Sequence, residues 1–193
     1  LPMGATMREI IFDRCGGMLR DNKLKAVIPG GVSAPMLTEA DLDTPMDFDS
    51  LSAKGSMLGS GAVVVMDETT CMVKAAYIIN RFFSHESCGK CTPCREGTKR
   101  LLEMLTKITE GLGEKKTLDE IRKLALFVKD NSLCGLGQTA PNPVLSTLNY
   151  FPDEYMAHIE KKECPSGACK HLTHYFITEK CAGCSNCARH CPV

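Results

Sequence analysis

Glu86-Ser87-Cys88-Gly89-Lys90-Cys91-Thr92-Pro93-Cys94-Arg95-Glu96-Gly97 is the stretch that organises this chain. Three cysteines with two residues between neighbours share one tight turn, and a lone Cys134 follows in Ser132-Leu133-Cys134-Gly135-Leu136-Gly137. They offer four thiolates to one centre. Zinc accepts such ligands, but its sites usually join one cysteine pair to another, whereas three close cysteines and a distant fourth suit a cubane iron–sulfur cluster. Gly89 and Gly97 let the backbone run close to a bulky ligand. Thr92 is placed to cap a helix whose first residue is Pro93, which aims N–H groups and the positive dipole end at an anionic cluster. Lys90 and Arg95 add positive charge nearby.

Working outward, the flanks of this turn read as helices. Met72, Ala75, Ala76, Ile79, Phe82 and Phe83 recur at helical spacing and form a buried face, core rather than cofactor box. Leu101, Leu102, Leu105, Ile108 and Leu112 form a second face, broken by Gly111 and Gly113. Thr117-Leu118-Asp119-Glu120 reads as the cap of a third helix with Ile121, Leu124, Ala125 and Val128 inward, and its end presents Cys134. A fourth helix is predicted from Asn142-Pro143 through Val144, Leu145 and Leu148, with Pro152 marking a break before Tyr155 and Ile159. Residues 69–160 are thus expected to form an antiparallel four-helix bundle, with the cysteine turn and the Cys134 loop meeting at one end.

Residues 1–68 read differently. Thr6-Met7-Arg8-Glu9 is a capping box for a short helix with Met7, Ile10 and Ile11 inward, ending near Gly16-Gly17. Lys25-Ala26-Val27-Ile28 and Gly61-Ala62-Val63-Val64-Val65-Met66 read as strands bounded by turn residues, so a small α+β unit is expected. Gly55, Gly59 and Gly61 lack the lysine and strand-first context of a phosphate loop and read as a connecting turn. Cys15, without a nearby partner, reads as a buried structural thiol.

The remaining cysteines lie at the other end. Cys164 and Cys169 are followed closely by His171 and His174, and mixed Cys/His ligation favours zinc, which needs a fourth ligand. A cysteine loop without metal and an iron–sulfur role are the competing readings. Tyr175-Phe176-Ile177-Thr178 reads as a short strand leading to Cys181-Ala182-Gly183-Cys184-Ser185-Asn186-Cys187-Ala188-Arg189-His190-Cys191-Pro192. That is the bacterial ferredoxin run C-x2-C-x2-C-x3-C-P, whose fourth cysteine ligates a second cluster. Cys181, Cys184 and Cys187 need one more thiolate and Cys191 needs three, so a truncated ferredoxin-like domain at 179–193 and a longer parent protein are expected.

Composition narrows the function classes. In 193 residues, 44% of them hydrophobic, there is room for one medium domain or a few small ones. The net charge of zero, with no basic stripe, gives no support for nucleic-acid binding. The longest apolar run, Ala62 to Met66, is far too short to span a membrane. No charged-then-apolar leader is visible, and 12 cysteines in short-spaced groups fit metal ligation in a reducing cytoplasm better than secreted disulfides.

The run Glu86 to Gly97, with Ser132 to Gly137, resembles the iron–sulfur part of the NADH-binding flavoprotein subunit of respiratory complex I and its soluble relatives in NAD(P)-linked hydrogenases and formate dehydrogenases. The resemblance covers the chain but only the C-terminal part of that subunit. It implies a ubiquitin-like β-grasp domain over 1–68, and a 4Fe–4S cluster on Cys88, Cys91, Cys94 and Cys134 that exchanges single electrons with a flavin. FMN and NAD(P) would be bound by a domain preceding Leu1. The ferredoxin-like tail points to the beta subunit of a soluble FeFe-hydrogenase, electron-bifurcating enzymes among the candidates. Its partners would be a thioredoxin-like 2Fe–2S subunit, a catalytic iron–sulfur subunit and ferredoxin. The hydrogenase resemblance also nominates Cys71 as the missing zinc ligand, giving Cys71, Cys164, Cys169 and His174, with His171 as substitute, and a zinc hinge over 161–178.

His85, His158 and His190 read as surface or supporting residues, and Asp67-Glu68 and Asp153-Glu154 as turn or capping pairs. No nucleophile triad stands out. Same-class alternatives are subunits of an NADH:quinone oxidoreductase or a formate dehydrogenase; a structural zinc scaffold is the alternative from another class.

Overall fold

A computed structural model describes residues 1–173 and 177–190. The N-terminal capping box is present. Thr6 Oγ1 accepts from Glu9 N–H at 3.1 Å and Glu9 Oε2 accepts from Thr6 N–H at 2.8 Å, opening a wide helical turn over Glu9–Arg14. Strand β1 (Leu24–Ile28) is followed by a short helix α1 (Phe48–Ala53) that Asp47 caps through Ser50 N–H, and then by strand β2 (Val64–Asp67). The two strands pair antiparallel, Val27 opposite Val65, with an irregularity between Leu24 and Ala26. That break splits the strand's two faces between two cores. Leu24 and Val27 join Met7, Ile11, Leu37, Leu42 and Leu51, while Ala26 and Ile28 join Met36, Met66, Met72, Ile79 and Phe83. Of the β-grasp expected for 1–68, the described residues contain this two-stranded ladder and isolated bridges such as Val27 to Leu37.

The helical part follows as α2 (Met72–Glu86), α3 (Thr92–Thr109), α4 (Lys115–Asn131), α5 (Gly135–Thr139), α6 (Asn142–Tyr150) and α7 (Pro152–Met156), with the chain coiling on to Lys161. Helix α3 packs on α2 and on α4, and α6 closes the ring against both α2 and α4. Leu101, Leu105, Ile108, Ile121, Ala125, Val144, Leu148 and Tyr155 fill the interior. Their inward placement agrees with the periodicity read from the sequence, whereas Phe82 and Leu112, read into the same faces, are exposed. At roughly 1.5–3 kcal/mol for each large apolar side chain buried, this core is what holds the helices in place.

Several local readings shift. Helix α3 starts one residue early, so Cys91 rather than Thr92 is its N-cap, and Pro93 falls within the first turn, where its missing N–H is not needed. Helix α4 starts at Lys115 because Glu114 and Thr117 cap it reciprocally, which makes Thr117 an interior partner rather than the cap. Cys15 is exposed, not buried: it closes the first helical turn just before Gly16-Gly17 and points away from the core. The Gly55–Gly61 loop docks backbone to backbone, Ser60 N–H donating to Gly30 O and Gly31 N–H to Ala62 O. That is the plain turn expected there.

Polar ties fix the N-terminal unit to the helices, among them Asn142 Nδ2 donating to Ser33 O at 2.9 Å. Lys25 Nζ lies 2.6 Å from Glu154 Oε1 and donates to Thr70 O, while Met36 N–H donates to Ser146 Oγ at 3.2 Å. No helix among the described residues is long and apolar enough to cross a membrane.

Candidate functional site

Three helix ends meet at one point of the ring. Ser87 ends α2, the loop carries Cys88, Cys91 caps α3 with Cys94 in its first turn, and Cys134 caps α5. Together they line a cavity of about 150 Å³ bounded by Glu86, Ser87, Cys88, Lys90, Cys91, Cys94, Cys134 and Leu136. All four cysteines predicted to share a centre therefore face one space. Gly89 reaches it with φ +77°, a left-handed conformation that a side chain would strain, and Arg95 pins the loop by donating to Gly89 O at 2.6 Å.

Close packing sets the depth of this cavity. A Cβ on Gly97 would meet Val128 Cγ2 at 2.2 Å, so α3 and α4 touch there without room for a methyl group. One on Gly137 would meet Ser132 at 2.5 Å and Cys94 Cβ at 3.0 Å, which holds the Cys134 helix against the cysteine turn. Cys94 is buried, Cys91 half-buried, and Cys88 and Cys134 exposed.

Electrostatics support a thiolate cage for cations. Backbone N–H groups of Leu133 and Cys94 hold Cys91 below the ordinary thiol range. Burial pushes Cys94 up, and thiolates at Cys91, Cys134 and Cys88 add to that against the donor Ser87. Thiolates that disfavour one another this way need positive charge among them, which iron ions supply. The donor set and the cavity fit a 4Fe–4S cluster.

A second site lies at the opposite end of α2. Cys71, His158, Cys164 and Cys169 are all buried, and their ligating atoms lie within 4.8 Å of one another. Cys71 Sγ is 3.9 Å from Cys169 Sγ, and His158 Nε2 is 3.4 Å from each of those sulfurs. A tetrahedral zinc with ordinary bond lengths puts two sulfurs about 3.8 Å apart and sulfur from nitrogen about 3.5 Å. His158 Nδ1 donates to Glu154 O at 2.7 Å, which leaves the Nε2 lone pair facing the sulfurs. The Cys169 thiol, with His158 beside it, draws Cys71 well below the ordinary thiol range, while Cys71 pushes Cys169 up. Burial opposes charge on His158, but the Cys71 sulfur, the Glu154 carbonyl and the negative charge of Cys164 together outweigh it and raise the imidazole above its usual value. The donor set fits a Cys3His zinc ion.

His158 corrects the sequence reading, which took it for a surface or supporting residue rather than a ligand: it is 0% exposed and lies within the group. A signal was present, since it follows the core residue Tyr155 by one helical turn. His174, expected in that position, lies outside the described residues, and His171 is exposed and outside the group. Cys71 is brought to Cys164 and Cys169 as expected, at the N-cap of α2, where its sulfur accepts from Lys74 N–H at 3.3 Å. Of the ferredoxin run, Cys181, Cys184 and Cys187 are exposed beside the short helix α8 (Asn186–Arg189), and Cys191 lies outside the described residues, as do Tyr175 and Phe176 of the expected strand. His85 is exposed beside Glu86, and His190 is exposed at the end of α8.

Comparison with known proteins places these features in context. Residues 74–158 match the family model described as the NADH-ubiquinone oxidoreductase-F iron-sulfur binding region. The NADP-reducing hydrogenase subunit HndC of Solidesulfovibrio fructosivorans is 50% identical over 194 residues, covering 100% of this chain and 40% of that subunit. The F 2 subunit of the NADH-quinone oxidoreductase of Rhizobium meliloti (strain 1021) is 50% identical over 165 residues, covering 86% of this chain and 39% of that protein. The chain thus spans about two fifths of the length of these relatives. Among solved structures, an NAD+-reducing NiFe-hydrogenase in the H2-reduced state aligns with TM-score 0.73 at 28% identity, over 83% of this chain and 27% of that one. The matched region, residues 74–158, contains all four cysteines of the cavity, and it is this part of the chain that carries the NADH-ubiquinone oxidoreductase-F iron-sulfur binding region.

Proposed function

We propose that this chain is the iron–sulfur electron-transfer part of a flavoprotein subunit in an NAD(P)-linked oxidoreductase complex, with Cys88, Cys91, Cys94 and Cys134 holding a 4Fe–4S cluster. The observation that carries this reading is the convergence of those cysteines on one cavity of about 150 Å³. A bound cluster takes up and releases single electrons, and its potential follows burial, charge and hydrogen bonds at sulfur. The chain's own residues supply the rest: Cys94 anchors the buried side, Cys88 and Cys134 leave an open edge to a redox partner, and Lys90 and Arg95 offset negative charge.

The hydrogenase type is favoured over the quinone-reductase type because the alignment with the hydrogenase subunit runs the full chain, cysteine-rich tail included. In that reading Cys181, Cys184, Cys187 and Cys191 begin a ferredoxin-like domain completed elsewhere in a longer protein. It gives electrons a second branch, as an electron-bifurcating hydrogenase would use. FMN and NAD(P) belong to another part of the subunit. Neighbouring subunits with a 2Fe–2S cluster, a catalytic iron–sulfur subunit and ferredoxin are the partners, and the complex is cytoplasmic. Cys71, His158, Cys164 and Cys169 bind a structural zinc ion that ties the start of α2 to the linker.

The test is metal and sulfide analysis with EPR on the complex purified anaerobically. Iron, acid-labile sulfide and a reducible signal that disappears in Cys91→Ala are expected; background iron would overturn the reading. Zinc near one equivalent is expected, and its loss in Cys164→Ala would locate it.

A further inference from the structure

The four cysteines around the cavity differ in what else reaches their sulfur. Cys88 and Cys134 are exposed, and Cys91 is served first by backbone N–H groups of Leu133 and Cys94, with the Ser132 side chain a lesser donor whose hydroxyl is already directed at Val128 O at 2.7 Å. Cys94, buried at 5% exposure, has a side-chain partner: Ser87 Oγ lies 3.2 Å from its Sγ. The direction of that bond follows from the surroundings of the hydroxyl. Gly89 N–H donates to Ser87 Oγ at 3.4 Å, and a cysteine bound to iron carries no proton, so the serine hydrogen is the one directed at sulfur.

We infer that Ser87 is a positioning residue that sets the reduction potential of the cluster on Cys88, Cys91, Cys94 and Cys134, by donating its hydroxyl hydrogen to Cys94 Sγ. The inference rests on the proposal that these cysteines hold a cluster. One-electron reduction adds negative charge that spreads onto the ligand sulfurs. A donor at sulfur therefore stabilises the reduced form more than the oxidised form and raises the potential. The effect is concentrated at Cys94 because burial removes the competing water, and a hydrogen bond in a low-dielectric setting is electrostatically stronger. Ser87 is also held in place. It is the C-cap of α2, with φ −62° and ψ 122°, on the helix end that delivers Cys88.

EPR-monitored redox titration of the whole complex tests this, with the signal of this cluster defined as the one that Cys91→Ala lacks. Ser87→Ala should weaken the reduction equilibrium about tenfold, which for a one-electron couple is about 59 mV downward. Ser87→Thr, which keeps the hydroxyl, should titrate close to the parent. An unchanged or raised potential in Ser87→Ala overturns the role of Ser87 and leaves the cluster assignment standing. If no signal depends on Cys91, the assignment itself falls. Should Ser87→Ala not retain the cluster, Ser87→Cys decides, because it keeps the size with a weaker donor: a lowered potential supports the role and an unchanged one overturns it.

Discussion

The two sulfur-rich sites at opposite ends of α2 differ in how far their donors stand apart. Around Cys71 the ligating atoms lie within 4.8 Å of one another, close enough to enclose a single ion, whereas Cys88, Cys91, Cys94 and Cys134 are arranged about a void of about 150 Å³. Burial differs in parallel: every donor of the compact site is buried, while two of the four around the void are exposed. Donor spacing, more than cysteine count, therefore separates a site for one ion from a site for a polynuclear centre. Exposure separates a fastening from a centre that must exchange electrons with something outside.

The largest expected effects break the comparison outright. Cys91→Ala should abolish the iron–sulfur content of the open site and leave zinc in place, and Cys71→Ala should do the reverse. Elemental analysis of both variants checks this; iron lost along with zinc in Cys71→Ala would mean that the two sites are not independent. Next in size, His158→Gln should cost on the order of 4 kcal/mol of folding stability, as loss of a bound metal commonly does. The measurement is chemical denaturation with and without a chelator, and the difference between parent and variant should vanish once zinc has been stripped from both.

Smaller changes sharpen the contrast between void and knot. Gly137→Ala pushes the Cys134 helix away from Cys94 and should lower iron occupancy, together with an overpacking cost of roughly 1–3 kcal/mol. Gly97→Ala, which presses α3 against Val128 instead, should cost a similar amount of stability with less loss of iron. Thermal unfolding read beside iron content distinguishes the two. The smallest effect belongs to the turn that leads into Cys71, where Thr70 Oγ1 donates to Asp67 Oδ1 at 3.3 Å. Asn22 and then Thr69 hold the Asp67 carboxyl down to about 2, below its ordinary 3.8. Its stabilising contribution is therefore present above about pH 4 and is lost as pH falls towards 2. Asp67→Asn should remove that slope from acid-unfolding curves and leave both metal contents unchanged.

How much of this was legible beforehand varied with the kind of signal. The cysteine turn could be read as one lining of the cavity because sequence spacing fixes the separation of its three sulfurs on one turn. The inward stripes Leu101-Leu105-Ile108 and Ile121-Ala125-Val128 could be read for the same reason: helical period survives in sequence. His158 could not be picked from spacing to Cys164, because its role depends on the turn after α7, Ala157–Lys161, bringing it to the start of α2, a long-range packing event. Its position one turn after Tyr155 was the usable clue. Cap positions moved by a residue or more, Cys91 for Thr92 and Glu114 for Thr117, because several polar residues at a helix start compete for the same N–H groups. The two-stranded ladder was anticipated by its β-branched runs, but the irregularity between Leu24 and Ala26, which frees Lys25 to reach Glu154, leaves no mark in composition.

The contact between Cys71 and Cys169 spans 98 positions, and Cys88 through Cys134 fall wholly inside that span. A ribosome building this chain from its amino end releases every inner thiol before the last outer one. The inner pocket can thus be furnished while the tail is still being made, and the outer buckle fastens only afterwards.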